Sequence, residues 1–201
     1  EDRLVGIVTV DDVLDVVQEE VTEDFQRMAG IHTTEEEYFR VGFSRRIINR
    51  VTWLVILVIA ATISQAILRS YSGVLSSVIA LAYFIPMLTG SGGNTGSQSS
   101  TLIIRALATG EIKIKEWWRI LLREFKVGIS LGLIMGFIAF AIAALSLGQI
   151  TLALTVGVSL CIVVSVGNIV GLAIPLFFRF IKLDPAFVSA PLIATLLDAT
   201  G

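Results

Sequence analysis

The sequence predicts an all-α polytopic membrane protein with five transmembrane helices per chain, preceded by a short β–α unit. Three observations predict it. The 201 residues are 55% hydrophobic with a mean hydropathy of +0.84, far above a soluble domain. The apolar residues fall into long runs separated by short polar turns. The charge is split: through Glu37 twelve acids stand against Arg3 and Arg27, whereas the remainder holds five acids against thirteen bases. An acidic, soluble segment therefore precedes a basic-flanked membrane segment.

In chain order, Leu4–Val10 (LVGIVTV) reads as a strand and Asp11–Phe25 as a helix capped by Asp11 or Asp12. One strand and one helix bury no core, so this unit is expected to be the tail of a larger domain. No leader pattern is read at the polar N-terminus. Thr33-Thr34 followed by Glu35, Glu36 and Glu37 predicts a helix start with acids at the positive dipole end. That helix runs through Arg45, Arg46 and Arg50 into a first span over about Val51–Leu68. The next apolar region, Val74–Leu107, would be roughly 50 Å long as one helix against a hydrocarbon core of about 30 Å. It must break, kink or project, and Pro86 with Gly90, Gly92, Gly93 and Gly96 marks the expected place.

Thr109–Lys126, basic and carrying Trp117 and Trp118, reads as a separate interfacial helix. The third span covers about Val127–Leu147, with Gly148-Gln149 as a tight turn, and the fourth about Thr151–Phe178. After Lys182-Leu-Asp184-Pro185 a fifth span begins near Ala186 and is truncated at Gly201. Lys and Arg cluster before the first span, between the second and third, and after the fourth, so the N-terminus is expected to be cytoplasmic, in a cell (inner) membrane.

Chemistry concentrates in three places. Thr89–Ser100 is a run of small polar residues with no charge, embedded between apolar stretches. Such a segment suits a hydrated ion better than an apolar ligand and reads as the wall of an ion pathway. Asp198 is the one carboxylate deep in an apolar run, about 20 Å beyond Pro185 along a continuous helix. An intramembrane acid marks an ion or proton path; the plainer reading is a helix-end Asp near the outer surface. No embedded base pairs with it, so it calls for a cation, and two copies from a symmetric dimer would neutralise a divalent one. The third place is the acid series Asp11, Asp12, Asp15, Glu19, Glu20, Glu23 and Asp24, either a solvated helix face or a cation sensor whose repulsion a divalent ion relieves.

Other features carry less. Gly128, Gly132 and Gly136 make a close-packing face, Asn168 an interhelical hydrogen bond, and Trp53, Trp117 and Trp118 interfacial anchors. Lone Cys161 forms no internal disulfide, and His32 has no metal partners near it in sequence. The glycine run lacks the Gly-Lys-[Ser/Thr] ending of a phosphate loop, and paired catalytic groups are missing, so an enzyme is disfavoured.

The runs PMLTGSGGNTGSQSSTLIIRALATGEI and DPAFVSAPLIATLLDATG resemble the MgtE magnesium channel/transporter family. LVGIVTVDDVLDVVQEEVTED is similar to the closing strand and helix of that family's second cystathionine-β-synthase-type (CBS) module. The resemblance runs through nearly the whole chain. It implies a homodimer in a lipid bilayer with a Mg²⁺ pore along the dimer axis, five spans per chain, a cytosolic Mg²⁺ sensor and a connecting "plug" helix; no nucleic-acid partner is expected. The division it implies is a CBS remnant over 1–31, a plug helix within 32–50 (about Glu35–Arg50) and a pore domain over 51–201.

Residue by residue, the pore aspartate falls on Asp198 with backbone acceptors at Gly90 and Ala194. The signature falls on Gly92, Gly93, Asn94, Gly96 and Gln98, with Thr101 a turn further on. Sensor carboxylates fall on Asp12, Asp15, Glu20, Glu23 and Asp24, with Asp184 as their partner at the membrane face. Ser97 and Ala190 depart from the asparagines expected there. The expected function is a Mg²⁺-selective channel closed by Mg²⁺ on the sensor, with Mg²⁺ both cargo and regulator. The alternatives are a less selective or proton-coupled carrier of Mn²⁺, Co²⁺ or Ca²⁺, and a membrane-anchored metal sensor.

Overall fold

A computed structural model describes residues 6–34 and 39–200. It is helical throughout, with no strand among the described residues. The first helix, α1, spans Val10–Met28 and starts one residue before the expected Asp11. Thr9, not Asp11 or Asp12, is its cap: the Thr9 hydroxyl accepts from the Asp12 amide while the Asp12 carboxylate accepts from the Thr9 N–H at 2.8 Å. This reciprocal box turns the chain helical at Val10; of the strand expected over Leu4–Val10, Leu4 and Val5 lie outside the described set and residues 6–9 form no strand.

The helix start expected at Thr33-Thr34 falls on Glu35–Glu37, which lie outside the described residues, but the helix expected to continue to Arg50 is corrected: residues 39–42 are non-helical and the described helix begins only at Phe43. Thr34 is instead clasped back onto α1: its amide donates to Gln26 Oε1 at 2.8 Å and its carbonyl accepts from Gln26 Nε2 at 3.2 Å. The next helix, α2, runs unbroken over Phe43–Ser70, so the basic approach and the first apolar stretch form one rod.

The second apolar region breaks early. Ser72–Ser77 (α3) and Ile79–Ala82 (α4) are short, with a turn at Val78 (φ −138°, ψ 70°) between them. From Ile85 to Ala108 the chain is one continuous helix, α5, that includes the entire glycine run. The expected break at Pro86 and the glycines is therefore not found. Pro86 sits in the first turn, where its missing donor costs nothing. The glycines keep their helical bonds and bring backbones together.

Trp117 opens α6 (Trp117–Leu147) directly after a 3₁₀ turn at Ile114–Glu116. The expected interfacial helix is thus the start of a long helix rather than an element of its own. Gly148, at φ 64°, ends α6 in the left-handed conformation, and α7 follows over Ile150–Phe180. A 3₁₀ turn at Pro185–Phe187 leads to α8, Ala190–Thr200, four residues later than the expected start. Asp198 is then eight residues into its helix, about 12 Å rather than 20 Å along it.

Small residues set the packing. Gly128, Gly132 and Gly136 on α6 face Asn168, Ser165, Cys161 and Gly157 on antiparallel α7; a Cβ on Gly136 would lie 2.6 Å from the Gly157 carbonyl oxygen. Asn168 is buried there and donates to the Glu124 carbonyl at 2.9 Å and its carboxylate at 3.2 Å, the interhelical bond expected. On the other side, α7 runs parallel to α5 and crosses it at glycines: Gly167 meets Gly92, and Gly171 meets Gly96. Ile104, Val188, Ile193 and Leu197 close a buried cluster under α5 and α8, with Met28 of α1 packed against it. Among the described residues three helices, Phe43–Ser70, Ile114–Leu147 and Ile150–Phe180, are long and apolar enough to cross a membrane; α8 is shorter.

Candidate functional site

The packing gives α5 two unlike faces. Gly92, Gly93, Gly96, Ser99, Ser100, Ile103 and Ile104 are buried against α7 and α8. Gly90, Asn94, Gln98 and Thr101 are exposed, and they recur at the helical period along the opposite side with half-buried Ser97. The polar residues singled out in the sequence therefore divide. Ser99 and Ser100 point into the protein, while Gly90, Asn94, Ser97, Gln98 and Thr101 form one polar stripe about 16 Å long, with Thr89, Ser91 and Thr95 half-buried beside it.

Antiparallel α8 lies beside this stripe. The Ser97 hydroxyl donates to the Ala190 carbonyl at 3.3 Å. One turn along, a Cβ on Gly93 would stand 3.2 Å from the Ala194 Cβ. Both pairings share one register, and extending it by a further turn sets exposed Asp198 level with Thr89 and Gly90. Ala190, Ala194 and Asp198 thus share a face, and its acid stands at the end where α5 has no side chain. A Cβ at Gly90 would meet nothing within 4 Å.

A second constellation forms where α1 meets the turn before α8. Arg27 Nη1 donates to Asp184 Oδ2 at 2.5 Å, and Arg27 Nη2 pairs with Glu23. The guanidinium carbon lies 5.0 Å from the Phe187 ring centroid. Asp184 also caps the 3₁₀ turn, its Oδ1 accepting from the Ala186 amide at 2.9 Å. Asp24 is half-buried nearby; burial first, and then the negative charge of Asp184, push its carboxyl above the ordinary value. One guanidinium thus leaves the cluster over-rich in negative charge, which suits a hard divalent cation. Glu23, Asp24 and Asp184 are the carboxylates of this cluster. Among the described residues no three acidic, His or Cys side chains already converge as a ready-made metal cage.

The other expected sensor acids are elsewhere. Asp12 is twelve residues from Asp24 on a straight helix, about 18 Å away, and its carboxyl is held below the ordinary value by its hydrogen bonds to Thr9. Asp15 and Glu20 line a cleft of about 940 Å³ between α1 and the start of α2, opposite Arg45, Arg46 and Arg50.

Residues 85–201, more than half the chain and both constellations apart from α1, match the family profile MgtE, described as a divalent cation transporter. The chain belongs to the MgtE family. Curated relatives named magnesium transporter MgtE are 45% identical over 201 residues in Thermus thermophilus, 37% over 197 in Bacillus subtilis and 30% over 201 in Enterococcus faecalis. These alignments cover 100%, 97% and 100% of this chain but 44%, 43% and 44% of the relatives, so the chain spans less than half their length. MgtE proteins are membrane transporters rather than enzymes.

Within this MgtE chain, sequence reasoning passed over Arg27 and Ser189. Arg27 carried a signal as the one base in a long acidic run, but its partner Asp184 is 157 residues away. Ser189 precedes Ala190-Pro191, a cap followed by a first-turn proline, which marks the true start of α8. Trp53, read as an interfacial anchor, is half-buried and donates its indole N–H to Ser189 Oγ at 3.1 Å.

Proposed function

We propose that this chain forms the membrane-embedded, ion-conducting part of a Mg²⁺ transporter, with α1 as the end of its cytosolic sensor. The carrying observation is the polar stripe of α5 with Asp198 level with its side-chain-free end. In this reading two chains form a homodimer. Their Asp198 carboxylates attract one hydrated divalent ion, and Asn94, Ser97, Gln98 and Thr101 accept from or donate to its waters. The carbonyls of Gly90 and Ala194 stand beside the same level. Because α5 is continuous, its carbonyls are mostly committed to the helix, so side chains supply more of the outer-shell contacts than a broken helix would.

The topology that goes with this is five spans per chain, α5 and α8 included, with α1 on the cytoplasmic side of a cell (inner) membrane. Residues 1–31 belong to the CBS sensor, 32–50 approach the membrane and 51–201 make the pore domain. Mg²⁺ on Glu23, Asp24 and Asp184 holds α1 against the turn before α8 and favours the closed state. The names of the relatives support Mg²⁺ as cargo. The test is Mg²⁺ flux into liposomes carrying an internal indicator. Asp198→Ala should reduce flux at least tenfold while dimer formation in detergent persists. Flux unchanged in that variant refutes the assignment.

A further inference from the structure

The indole of Trp53 stands where three separate parts of the chain meet. It belongs to α2, one turn beyond Asn49, whose carbonyl accepts from the His32 amide at 3.0 Å. Its N–H donates to Ser189 Oγ, and Ser189 is 0% exposed. Ser189 in turn starts α8: its Oγ accepts from the Leu192 amide at 3.3 Å and its carbonyl from the Ile193 amide at 3.2 Å. The same Cδ1–Nε1 edge of the indole fills the space left by Gly30, the left-handed residue (φ 70°) that turns the chain after α1; any Cβ at Gly30 would collide with the ring at the nitrogen that donates to Ser189. One rigid ring therefore touches the end of the α1 segment and the first turn of the helix bearing Asp198.

We propose that Trp53 is a positioning residue that couples the docking of α1 to the placement of α8, and through it to Asp198. The coupling is mechanical and specific. The ring transmits position because it is planar, has two rotatable bonds, and carries both contacts on one edge, so that a shift at Gly30 displaces the donor nitrogen itself. Its hydrogen bond fixes the hydroxyl that caps α8, and a buried hydroxyl that loses a partner is costly. When the Gly30 turn moves, the ring loses its seat and the cap of α8 loses its donor. An interfacial anchor would need neither contact. The transport arm of this proposal rests on the function proposed above; the structural arm does not.

Three variants of the full-length protein test it. Trp53→Phe keeps a ring and removes the donor. Ser189→Ala removes the acceptor. Gly30→Ala pushes on the same indole edge from the α1 segment, its new methyl meeting Trp53 and neither Ser189 nor α8. Amide hydrogen exchange is read at Leu192–Thr195 and at residues 26–34, with and without Mg²⁺, and flux is read against Mg²⁺ on the sensor side. Trp53→Phe should speed exchange at Leu192–Thr195 about two- to tenfold, as expected for one lost hydrogen bond. Gly30→Ala should do the same at that distant site, and the smaller ring of Trp53→Phe in the same molecule should relieve its added effect. Combining Trp53→Phe with Ser189→Ala should be no worse than Ser189→Ala alone. The Mg²⁺ midpoint for closure should shift several-fold in Trp53→Phe with maximal flux retained.

Normal exchange at Leu192–Thr195 in both Trp53→Phe and Gly30→Ala overturns the proposal. So does additive loss in the double variant, or a fall in maximal flux with the midpoint unmoved. If the parent protein shows no Mg²⁺-dependent flux, the proposed function fails while the exchange measurements still decide the role of Trp53.

Discussion

Gly90→Ala and Gly167→Ala are the same chemical change at two positions in helices, and the structure assigns them opposite outcomes. Each gains helix propensity, up to about 1 kcal/mol by measurements in water, so that gain cancels when the two are compared. What remains is what the new methyl meets. At Gly90 it meets nothing within 4 Å. At Gly167 it would lie 2.8 Å from the Gly92 carbonyl oxygen and 3.4 Å from the Gly92 Cα. Close carbon–oxygen contacts between backbones settle at about 3.3–3.6 Å, so α5 and α7 must part by roughly 0.5–0.8 Å. The obstacle is backbone on both sides, which no rotamer change relieves. Overpacking of this kind costs about 1–3 kcal/mol, a roughly five- to 150-fold change in the folded ratio. Thermal or denaturant unfolding in detergent micelles, followed by size-exclusion profile, measures it. Gly90→Ala should be at least as stable as the parent, and Gly167→Ala less stable than Gly90→Ala by that margin. Equal stability of the two variants would refute the close glycine crossing and, with it, the division of α5 into a packed face and a polar face.

Three further outcomes are expected. Gly90→Ala, although stable, should lower Mg²⁺ flux in liposomes several-fold, because its methyl projects at the level of Asp198; full flux would remove Gly90 from the ion path. Arg27→Gln should weaken docking of α1 on the 184–187 turn by on the order of 1–2 kcal/mol, since the lost pairs are partly solvated and the contact with Phe187 goes with them. Faster proteolysis between residues 29 and 42 reports that, and unchanged proteolysis would contradict it. The Asp24 carboxyl, raised above its ordinary 3.8 by burial and Asp184, binds its proton more tightly when docked than when free. Without Mg²⁺, docking should therefore strengthen as pH falls from neutral through the raised value and level off below about 3.8. Asp24→Asn should dock as well at neutral pH as the parent does in acid, which pH-resolved hydrogen exchange at residues 23–28 checks.

The long helices and their turns were legible because hydropathy and turn chemistry agree there: Gly148 ends α6 and the Lys182–Pro185 turn ends α7, as read. The errors have specific causes. LVGIVTV has the composition of a strand, yet among the described residues there is no strand for residues 6–9 to pair with, and the Thr9–Asp12 box starts the helix at Val10. Pro86 and four glycines look like breakers on scales measured in water. Here Pro86 occupies the first turn, and Gly92, Gly93 and Gly96 are spacers whose loss of propensity is offset by close packing against α7 and α8, while Gly90 faces open space. Residue type alone picked out Asp198 and the polar stripe, since charge and small polar groups are conspicuous among apolar neighbours. It missed Arg27 with Asp184 and Trp53 with Ser189, whose partners are 157 and 136 residues apart. Nothing local distinguishes a tryptophan that anchors in headgroups from one that caps a distant helix.

The unbroken course of α2 has a mechanical corollary. Phe43 to Trp53 is about 15 Å and Trp53 to Ser70 about 25 Å, with no hinge residue between. If the rod tilts about its clamped indole, the far tip sweeps roughly 1.7 times the arc of the basic end, and in the opposite direction. A nudge of one ångström beside Arg45 and Arg46 is then delivered, enlarged and reversed, to the Ser70 end of α2 without any helix having to unwind.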